Sequence, residues 1–154
     1  MLFPACFFRN FTFSILHFFD SMLLKSFYTI IHRSGAEEEL FQTGIPVERY
    51  RFTLELNPAH AVYEGHFPGN PVVPGVCQIQ MISELLSVIK GNALRLMHAD
   101  NIKFLSLMVP DKNRIIDAEL RLRTAENGEI SANATLQGGD VVFIKFKGLY
   151  RKEF

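Results

Sequence analysis

His66 stands in a segment whose composition would hold its side chain in place. The segment, GHFPGNPVVPG over residues 65–75, contains three prolines and three glycines. Prolines fix their own φ and favour extended backbone in the preceding residue, so a loop this rich in them is stiff. An imidazole titrates near neutral pH and can therefore take a proton from a substrate at pH 7. The segment predicts a general base that is held in place before a substrate binds, with a satisfied structural histidine as the alternative.

A predicted helix begins directly after this segment in the sequence. Residues 76–90 are predicted to form a helix, because Pro74 suits the first helical turn and Gly91 suits the exit. The first turn of a helix presents unpaired backbone N–H groups and the positive end of the helix dipole. A carbonyl group aimed at the N–H of Gly75 or Val76 would be stabilised as enolate charge develops, which happens when a proton is removed from the carbon beside it.

Two polar side chains, Gln80 and Glu84, stand further along the predicted helix. Gln80 can hydrogen-bond a hydroxyl group but cannot serve as an acid of useful strength. Glu84 lies one helical turn later, so the two side chains are neighbours, and Glu84 leans back toward Gln80. A carboxyl group in that position could donate a proton to a group beside Gln80, directly or through one water molecule. The alternative is that both belong to a polar stripe, with Ser83 and Ser87, that faces a subunit interface or solvent and does no chemistry.

The elements that must position these groups are predicted from hydrophobic periodicity. The helix is apolar around most of its circumference, which indicates a helix enclosed by other elements. Residues 47–56 alternate as a half-buried strand does, and Asn127-Gly128 is a strong hairpin signal. Other strands are predicted at residues 24–33, 101–109, 114–123, 129–137 and 140–150, with a turn at Ser34–Glu39. Strands, one enclosed helix and a further run of strands indicate an α+β fold.

The segment from Gly65 to Glu84 resembles the active-site segment of the FabA/FabZ family of β-hydroxyacyl-acyl-carrier-protein dehydratases. That family has the pattern G-H-F-P-G-x-P-x-x-P-G-V ahead of a buried helix. Phe104 and Val109-Pro110 also match the family's F-x(4)-V-P strand and turn, with Asp111-Lys112 in place of the usual Gly-Asp. The resemblance covers roughly residues 45 to 150. The positions that match the first pattern are His66, Phe67, Pro68, Gly69, Pro71, Pro74, Gly75 and Val76.

The resemblance implies a hotdog fold, in which a long central helix is wrapped by a curved antiparallel sheet. It also implies a lyase that dehydrates 3-hydroxyacyl thioesters of an acyl carrier protein, in fatty-acid synthesis or related lipid or polyketide synthesis. His66 would take the α-proton, and the β-hydroxyl would leave as water to give a trans-2-enoyl product. The family's acid, a Glu or Asp fourteen residues after the histidine, is replaced here by Gln80. Glu84 is the candidate for a displaced acid.

The same resemblance implies an oligomer and a substrate-binding role for several loop residues. In the family, the histidine and the carboxylate of one site come from opposite protomers, so a homodimer or higher homo-oligomer is implied. Phe67 would pack on the neighbouring subunit or line an acyl tunnel, with core packing as the alternative. Pro74, Gly75 and Val76 would contact the thioester. No cofactor is needed, because dehydration moves only protons and water.

Two other functions remain open for the same fold. One is thioester hydrolysis, although related hotdog thioesterases use a carboxylate near the helix start and this chain has none there. The other is a non-catalytic role, in which the chain binds acyl groups or serves as the inactive partner of a catalytic paralogue. In that case the paralogue's carboxylate would complete a shared site.

The composition of the chain limits the other classes of function that it could have. The chain has 154 residues, which suits one domain, and a formal net charge of zero, which argues against nucleic-acid binding. Its two cysteines, Cys6 and Cys77, form no Cys-x-x-Cys pair, which favours a reducing cytoplasm. Cys77 is interpreted as a small buried apolar side chain, with a nucleophile as the alternative. His60 and Glu64 precede His66, but without a third suitably spaced ligand no metal site is expected.

Basic side chains in the later strands allow two interpretations. They could bind an acidic carrier protein, or they could simply form a solvated face, which is the commoner role of alternating charges on strands. The residues are Arg114, Arg121, Arg123, Lys145, Lys147, Arg151 and Lys152.

Residues 1–21 differ in composition from the rest. Seven phenylalanines fall between Phe3 and Phe19, but Arg9, His17 and Asp20 interrupt the apolar run before it reaches the roughly 20 residues of a membrane span. We interpret residues 1–21 as an extension that the domain over 22–154 does not need, such as a mis-assigned start. Membrane contact or secretion by this segment is the alternative.

Overall fold

The computed structural model describes residues 23–40, 44 and 46–153. Seven strands and two helices follow one another in this part of the chain. They are β1 (Tyr28–Arg33), β2 (Glu37–Leu40), β3 (Pro46–Leu56), α1 (Val62–Gly65), α2 (Gly75–Lys90), β4 (Leu94–Phe104), β5 (Ile115–Thr124), β6 (Ile130–Gly138) and β7 (Val141–Lys152). The predicted extension over residues 1–21 lies outside the described residues, as does Cys6.

The strands form one antiparallel sheet against which α2 packs. Their order is β1-β3-β5-β6-β7-β4, and β2 also pairs with β3. The hairpin between β5 and β6 turns at Gly128, which has a φ of 82°, as the Asn-Gly signal predicted. Gly139, with a φ of 57°, turns the chain between β6 and β7. The predicted α+β architecture of one long helix and one antiparallel sheet is therefore confirmed.

The core lies between the inner face of the sheet and α2. Alternate residues of β3, among them Phe52 and Leu54, point inward and are buried. Met81 and Leu85 of α2 are completely buried against them. Burying a large apolar side chain stabilises the fold by about 1.5–3 kcal/mol, so α2 is held firmly in the concave face. The prediction that the helix is enclosed is confirmed.

The first part of the described chain differs from the predicted strand and turn. Residues 24–27 form a turn, in which Lys25 has a φ of 77°, and the strand begins only at Tyr28. The predicted turn at Ser34–Glu39 is wrong in its second half, because Glu37–Leu40 pairs with β3 as β2. A polar, acidic segment can form an edge strand when tertiary pairing outweighs its low β propensity.

The bounds of the strand after α2 also differ from the predicted bounds. It spans Leu94–Phe104 rather than 101–109. Its pairing with β7 is shifted at Leu96/His98 and again at Ala99/Asn101. Such bulges put two residues opposite one and so interrupt the alternation on which the prediction depends. The short helix α1 was not predicted, while β3, α2, β5, β6 and β7 lie within two residues of their predicted bounds.

Gly148 is required where β7 passes β4. A Cβ at this position would lie 2.7 Å from Cζ of Phe146 and 3.0 Å from the backbone oxygen of His98. We expect Gly148→Ala to lower the free energy of unfolding by about 1–3 kcal/mol, because the backbone neighbour cannot move aside freely. Urea denaturation measures this. Gly35→Ala is the control, since a Cβ there meets nothing within 4 Å; equal stabilities for the two variants would contradict the prediction.

Candidate active site

The loop between α1 and α2 is fixed by its own turn and by a neighbouring segment. The N–H of Asn70 donates to the carbonyl of Phe67 at 3.0 Å, and Gly69 between them has a φ of 81°. Proline followed by a glycine with positive φ is typical of a type II turn. Further on, the N–H of Val73 donates to the carbonyl of Met108 at 2.8 Å. The loop is therefore anchored at its centre and near its end.

His66 is half-buried at the start of this loop and is held by one hydrogen bond. Its Nδ1 lies 3.1 Å from the carbonyl oxygen of Val72. A carbonyl can only accept, so Nδ1 carries the proton in this contact and Nε2 of the neutral ring keeps its lone pair. Within the described residues, no hydrogen bond involves Nε2. The ring is thus oriented as a base would be.

Phe67 follows in a conformation that few phenylalanines adopt. Its φ is 55°, and its ring meets the His66 ring edge-on at a centroid distance of 4.5 Å. The side chain is 52% exposed, so the alternative that Phe67 packs in the core of its own chain is wrong. Left-handed backbone in a bulky residue is strained and occurs where the surroundings require it.

The amino end of α2 begins at this loop. Pro74 lies directly before the helix with extended backbone, and its carbonyl accepts hydrogen bonds from the N–H groups of Cys77 and Gln78. Pro74, the N-cap residue, makes no side-chain capping hydrogen bond at this end of the helix. The ring of Phe104 lies against Gly75, where a Cβ would be 2.6 Å from Cζ. Glycine at this position therefore lets an aromatic ring pack against the start of α2.

Gln80 and Glu84 are in contact and buried, at 6% and 7% exposure. Nε2 of Gln80 donates to Oε1 of Glu84 at 3.2 Å. The same oxygen accepts from the backbone N–H of Leu23 at 3.3 Å, and Oε2 accepts from the hydroxyl of Tyr28 at 3.0 Å. Both carboxylate oxygens of Glu84 are therefore engaged by groups of the same chain.

The polar stripe on α2 is satisfied inside the chain. The hydroxyl of Ser83 lies 3.2 Å from the carbonyl of Ile79 and 3.0 Å from the hydroxyl of Tyr150. Ser87 donates to the carbonyl of Ser83. Because Gln80 and Glu84 are buried in the single chain, the alternative that these two face solvent is wrong.

Two tyrosines, Tyr28 and Tyr63, contribute to this region, and no pattern in the sequence indicated either of them. Burial, and then the neighbouring Glu84, raise the pKa of Tyr28, so its hydroxyl stays protonated and donates. Tyr63 lies on α1, three residues before His66, and burial raises the pKa of its hydroxyl as well. In the part of the chain that the structure describes, the Tyr63 hydroxyl and Oε1 of Gln78 are buried without a hydrogen-bond partner.

Cys77 and His60 have local roles. Cys77 is buried, and burial, followed by the nearby Glu84, raises the pKa of its thiol to about 11. A nucleophilic thiolate is therefore disfavoured at neutral pH. Nδ1 of His60 accepts a hydrogen bond from the N–H of Val62 at 3.1 Å.

Among the described residues, no group of three His, Cys, Asp or Glu side chains is arranged to hold a metal. Of the helices described, none is long and apolar enough to cross a bilayer.

Solved structures with this fold are found among proteins of low sequence identity. One is the dehydratase heterocomplex ApeI:P from Xenorhabdus doucetiae, with a TM-score of 0.55 and 19% identity over 80% of this chain and 96% of that one. Another is an uncharacterized protein from Erwinia carotovora, with a TM-score of 0.54 and 18% identity over 80% and 94% of the two chains. The hotdog fold is confirmed, and the chain is therefore a hotdog-fold protein with a histidine-bearing loop directly before its long helix.

Sequence comparisons define the family more closely. A family model described as ApeI-like, ApeI dehydratase, matches residues 44–138, and the chain belongs to this family. The 3-hydroxyacyl-[acyl-carrier-protein] dehydratase FabZ of Enterococcus faecalis is 33% identical over 104 residues, which are 63% of this chain and 74% of that protein. The FabZ of Rickettsia africae is 27% identical over 97 residues, 58% and 67% of the two. The predicted resemblance and the lyase class are therefore confirmed.

Proposed function

We propose that this chain dehydrates 3-hydroxyacyl thioesters carried by an acyl carrier protein, in fatty-acid synthesis or a related lipid or polyketide pathway. The observation that carries the proposal is the hydrogen bond from Nδ1–H of His66 to the carbonyl of Val72. It leaves Nε2 as a base on a loop stiffened by proline. The family match supplies the reaction class, and the enzymes named in the sequence comparison act on acyl-carrier-protein substrates.

The proposed reaction follows from the arrangement of the loop and the helix. Nε2 of His66 takes the proton from the carbon next to the thioester carbonyl. The negative charge that develops on the carbonyl oxygen is stabilised by the N–H groups of Gly75 and Val76 at the amino end of α2. The bond between the β-carbon and its hydroxyl then breaks. The hydroxyl takes a proton and leaves as water, and a trans-2-enoyl thioester remains.

The proton for the departing hydroxyl comes, in this proposal, from Glu84. Gln80 stands where the family has its acid, and it binds the hydroxyl without donating a proton of useful acidity. The 3.2 Å contact between Gln80 and Glu84 brings a carboxyl group to the neighbouring position on the helix. A water molecule beside Gln80 would connect Glu84 to the substrate. Thioester hydrolysis is less well supported, because the first turn of α2 carries no acidic residue.

A homodimer is the proposed assembly, and the free edge of β4 is its proposed contact. Among the strands that the structure describes, β4 is the last of the sheet and pairs only with β7. Large apolar side chains are exposed at and beyond its end, with Leu105 at 52% and Leu107 at 59% exposure. An unpaired strand edge beside exposed apolar side chains is suited to pairing with a second chain. Phe67 would contact that second chain or the acyl group.

A second candidate is favoured by the engaged carboxylate of Glu84. Both of its oxygens already bind Leu23, Tyr28 and Gln80, as described above, and Gln80 itself is not an acid. In this case a different hotdog chain supplies the carboxylate to a shared site, and this chain supplies His66. The neighbour from Xenorhabdus doucetiae is itself named as a dehydratase heterocomplex.

Turnover by the purified protein separates the two candidates. The protein is incubated with a short 3-hydroxyacyl N-acetylcysteamine thioester, and formation of the enoyl product is followed by its absorbance. We expect turnover by the chain alone, in a particle of at least two copies by light scattering. Gln80→Glu is the comparison variant. Turnover that appears only in Gln80→Glu would contradict the first candidate and support a carboxylate supplied by another chain.

A further inference from the structure

The carboxyl group of Glu84 is bound differently at its two oxygens. Oε1 lies 3.2 Å from Nε2 of Gln80 and 3.3 Å from the backbone nitrogen of Leu23. A backbone N–H and an amide NH₂ group can only donate hydrogen bonds, so Oε1 has to remain an acceptor. When Glu84 is protonated, its proton must therefore be on Oε2. That oxygen lies 3.0 Å from the hydroxyl of Tyr28.

Tyr28 is the partner that can bind both forms of this carboxyl group. A hydroxyl has one donor and two lone pairs, so it donates to the ionised carboxylate and accepts from the protonated one after its O–H bond rotates. Within the part of the chain that the structure describes, the Tyr28 hydroxyl bonds to Glu84 alone. Both side chains are buried, so water does not readily take over either role.

The hydroxyl of Tyr28 favours the ionised form of Glu84. Hydrogen bonds to an ionised carboxylate are about twice as strong as hydrogen bonds between neutral groups. Burial acts in the opposite direction, because it disfavours the charged form of a carboxyl group. The bond from Tyr28 therefore opposes the effect of burial and helps the carboxyl group to release its proton.

The other titratable group that faces Glu84 stays uncharged. The two groups are Tyr28 on β1 and Cys77, two turns earlier on α2. Burial, and then Glu84, raise the pKa of the Tyr28 hydroxyl and of the Cys77 thiol, so neither ionises at neutral pH. Among the described residues, no lysine, arginine or histidine forms an ion pair with Glu84. A change of charge within this cluster is therefore a change at Glu84.

We propose that Tyr28 is a positioning residue for dehydration, which holds the acidic proton on Oε2 of Glu84 and sets the pH at which Glu84 releases it. The inference rests on the proposed function, in which Glu84 protonates the departing hydroxyl. Turnover then requires protonated Glu84 and falls when rising pH removes that proton. Because Tyr28 stabilises the ionised form, it places this fall at a lower pH than burial alone would.

The same bond serves the step in which the proton is transferred. The proton leaves Oε2 for the β-hydroxyl while the carbon–oxygen bond breaks, and water departs. Glu84 is then ionised, and His66 carries the proton taken from the α-carbon. The O–H bond of Tyr28 rotates to donate to the new carboxylate, so the charge that forms at Glu84 is stabilised as it appears.

The pH dependence of kcat tests this role. With the N-acetylcysteamine substrate, we expect Tyr28→Phe to move the alkaline fall in kcat to higher pH by about one unit, a tenfold change in the proton equilibrium. The sign follows from the loss of a donor to the ionised form. Tyr150→Phe is the matched control, because Tyr150 is also buried and its hydroxyl bonds to Ser83 of the same helix. It should lower stability without moving the profile.

Infrared titration measures the protonation of Glu84 without turnover. The carbonyl band of its protonated carboxyl group is the band that Glu84→Gln removes. We expect this band to persist to a pH about one unit higher in Tyr28→Phe, and to titrate unchanged in Tyr150→Phe. In the unmodified chain, the C–O band of Tyr28 should shift in the same pH range, because its hydroxyl changes from acceptor to donor. That measurement needs no variant of Tyr28, so it decides the question if Tyr28→Phe does not fold.

The outcomes separate this inference from the proposed function. An alkaline fall that stays in place in Tyr28→Phe, or that moves equally in Tyr150→Phe, overturns the positioning role. An infrared titration of Glu84 that Tyr28→Phe leaves unchanged overturns it as well, and so does a tyrosine band that stays constant while Glu84 titrates. A shifted infrared titration in a protein without turnover overturns the proposed reaction and supports the proton equilibrium between Tyr28 and Glu84.

Discussion

Replacing His66 by alanine is expected to lower kcat/KM for dehydration by a factor of about 10² to 10⁴, the usual contribution of a positioned general base. The α-proton of a thioester is not acidic enough to leave without a base, and in the described part of the chain His66 is the histidine placed at the amino end of α2. Its Nδ1–H donates to the carbonyl of Val72 at 3.1 Å, which leaves the lone pair of Nε2 available for the proposed proton transfer. The rate is measured as enoyl absorbance with an N-acetylcysteamine substrate.

The variant should fold, because His66 contributes one hydrogen bond and is only half-buried. Loss of that bond lowers the free energy of unfolding by about 1 kcal/mol, which urea denaturation can verify. His32→Ala on β1 is the control, since His32 is exposed and lies on an edge strand. A His66→Ala protein that retains its rate within a few-fold, with an unchanged unfolding midpoint, would remove His66 from the reaction.

Local features of the sequence were sufficient to predict the loop and the helix. The prolines and glycines of residues 65–75 act on their own backbone and on the residue before them, so the anchored loop could be foreseen. The contact between Gln80 and Glu84 also follows from helical geometry, because side chains four residues apart are neighbours. Its length of 3.2 Å in the structure agrees with that expectation. Predictions of this kind need no knowledge of tertiary structure.

Contacts between distant parts of the chain could not be predicted. Tyr28 and Leu23 bind Glu84 across 56 and 61 residues of sequence, and no periodicity in either segment indicates this. The bounds of β4 were wrong because two bulges break its alternation, and those bulges depend on the pairing with β7. The partners of a buried carboxylate are set by which elements the fold brings together, so they become visible only in the structure.

These distant contacts determine what Glu84 can do. The carboxylate of Glu84 accepts hydrogen bonds from Leu23 and Tyr28. It therefore connects α2 to the start of β1 and to the residues before it. Such a residue has a structural role whether or not it donates a proton. Two different substitutions at this position separate stability from chemistry.

Glu84→Leu is expected to lower the free energy of unfolding by about 3–5 kcal/mol, because the Tyr28 hydroxyl and the Leu23 N–H would both be left buried without an acceptor. Tyr28 is 1% exposed, so water cannot readily replace the carboxylate. Urea denaturation measures the loss. Tyr28→Phe in the Glu84→Leu background should restore part of the stability, since it removes one of the two unsatisfied groups. A Glu84→Leu protein as stable as the parent would show that these hydrogen bonds do not hold α2.

Glu84→Gln is expected to change the free energy of unfolding by less than about 1 kcal/mol, because an amide can reproduce every hydrogen bond of the carboxylate. Its oxygen, in the position of Oε1, accepts from Leu23 and Gln80, and its NH₂ group donates to the oxygen of Tyr28. The amide cannot supply a proton, however. If Glu84 is the acid, kcat for dehydration falls by about 10² or more while the unfolding midpoint stays in place. An unchanged kcat would restrict Glu84 to its structural contacts, and the proton would then have to come from a carboxylate outside this chain.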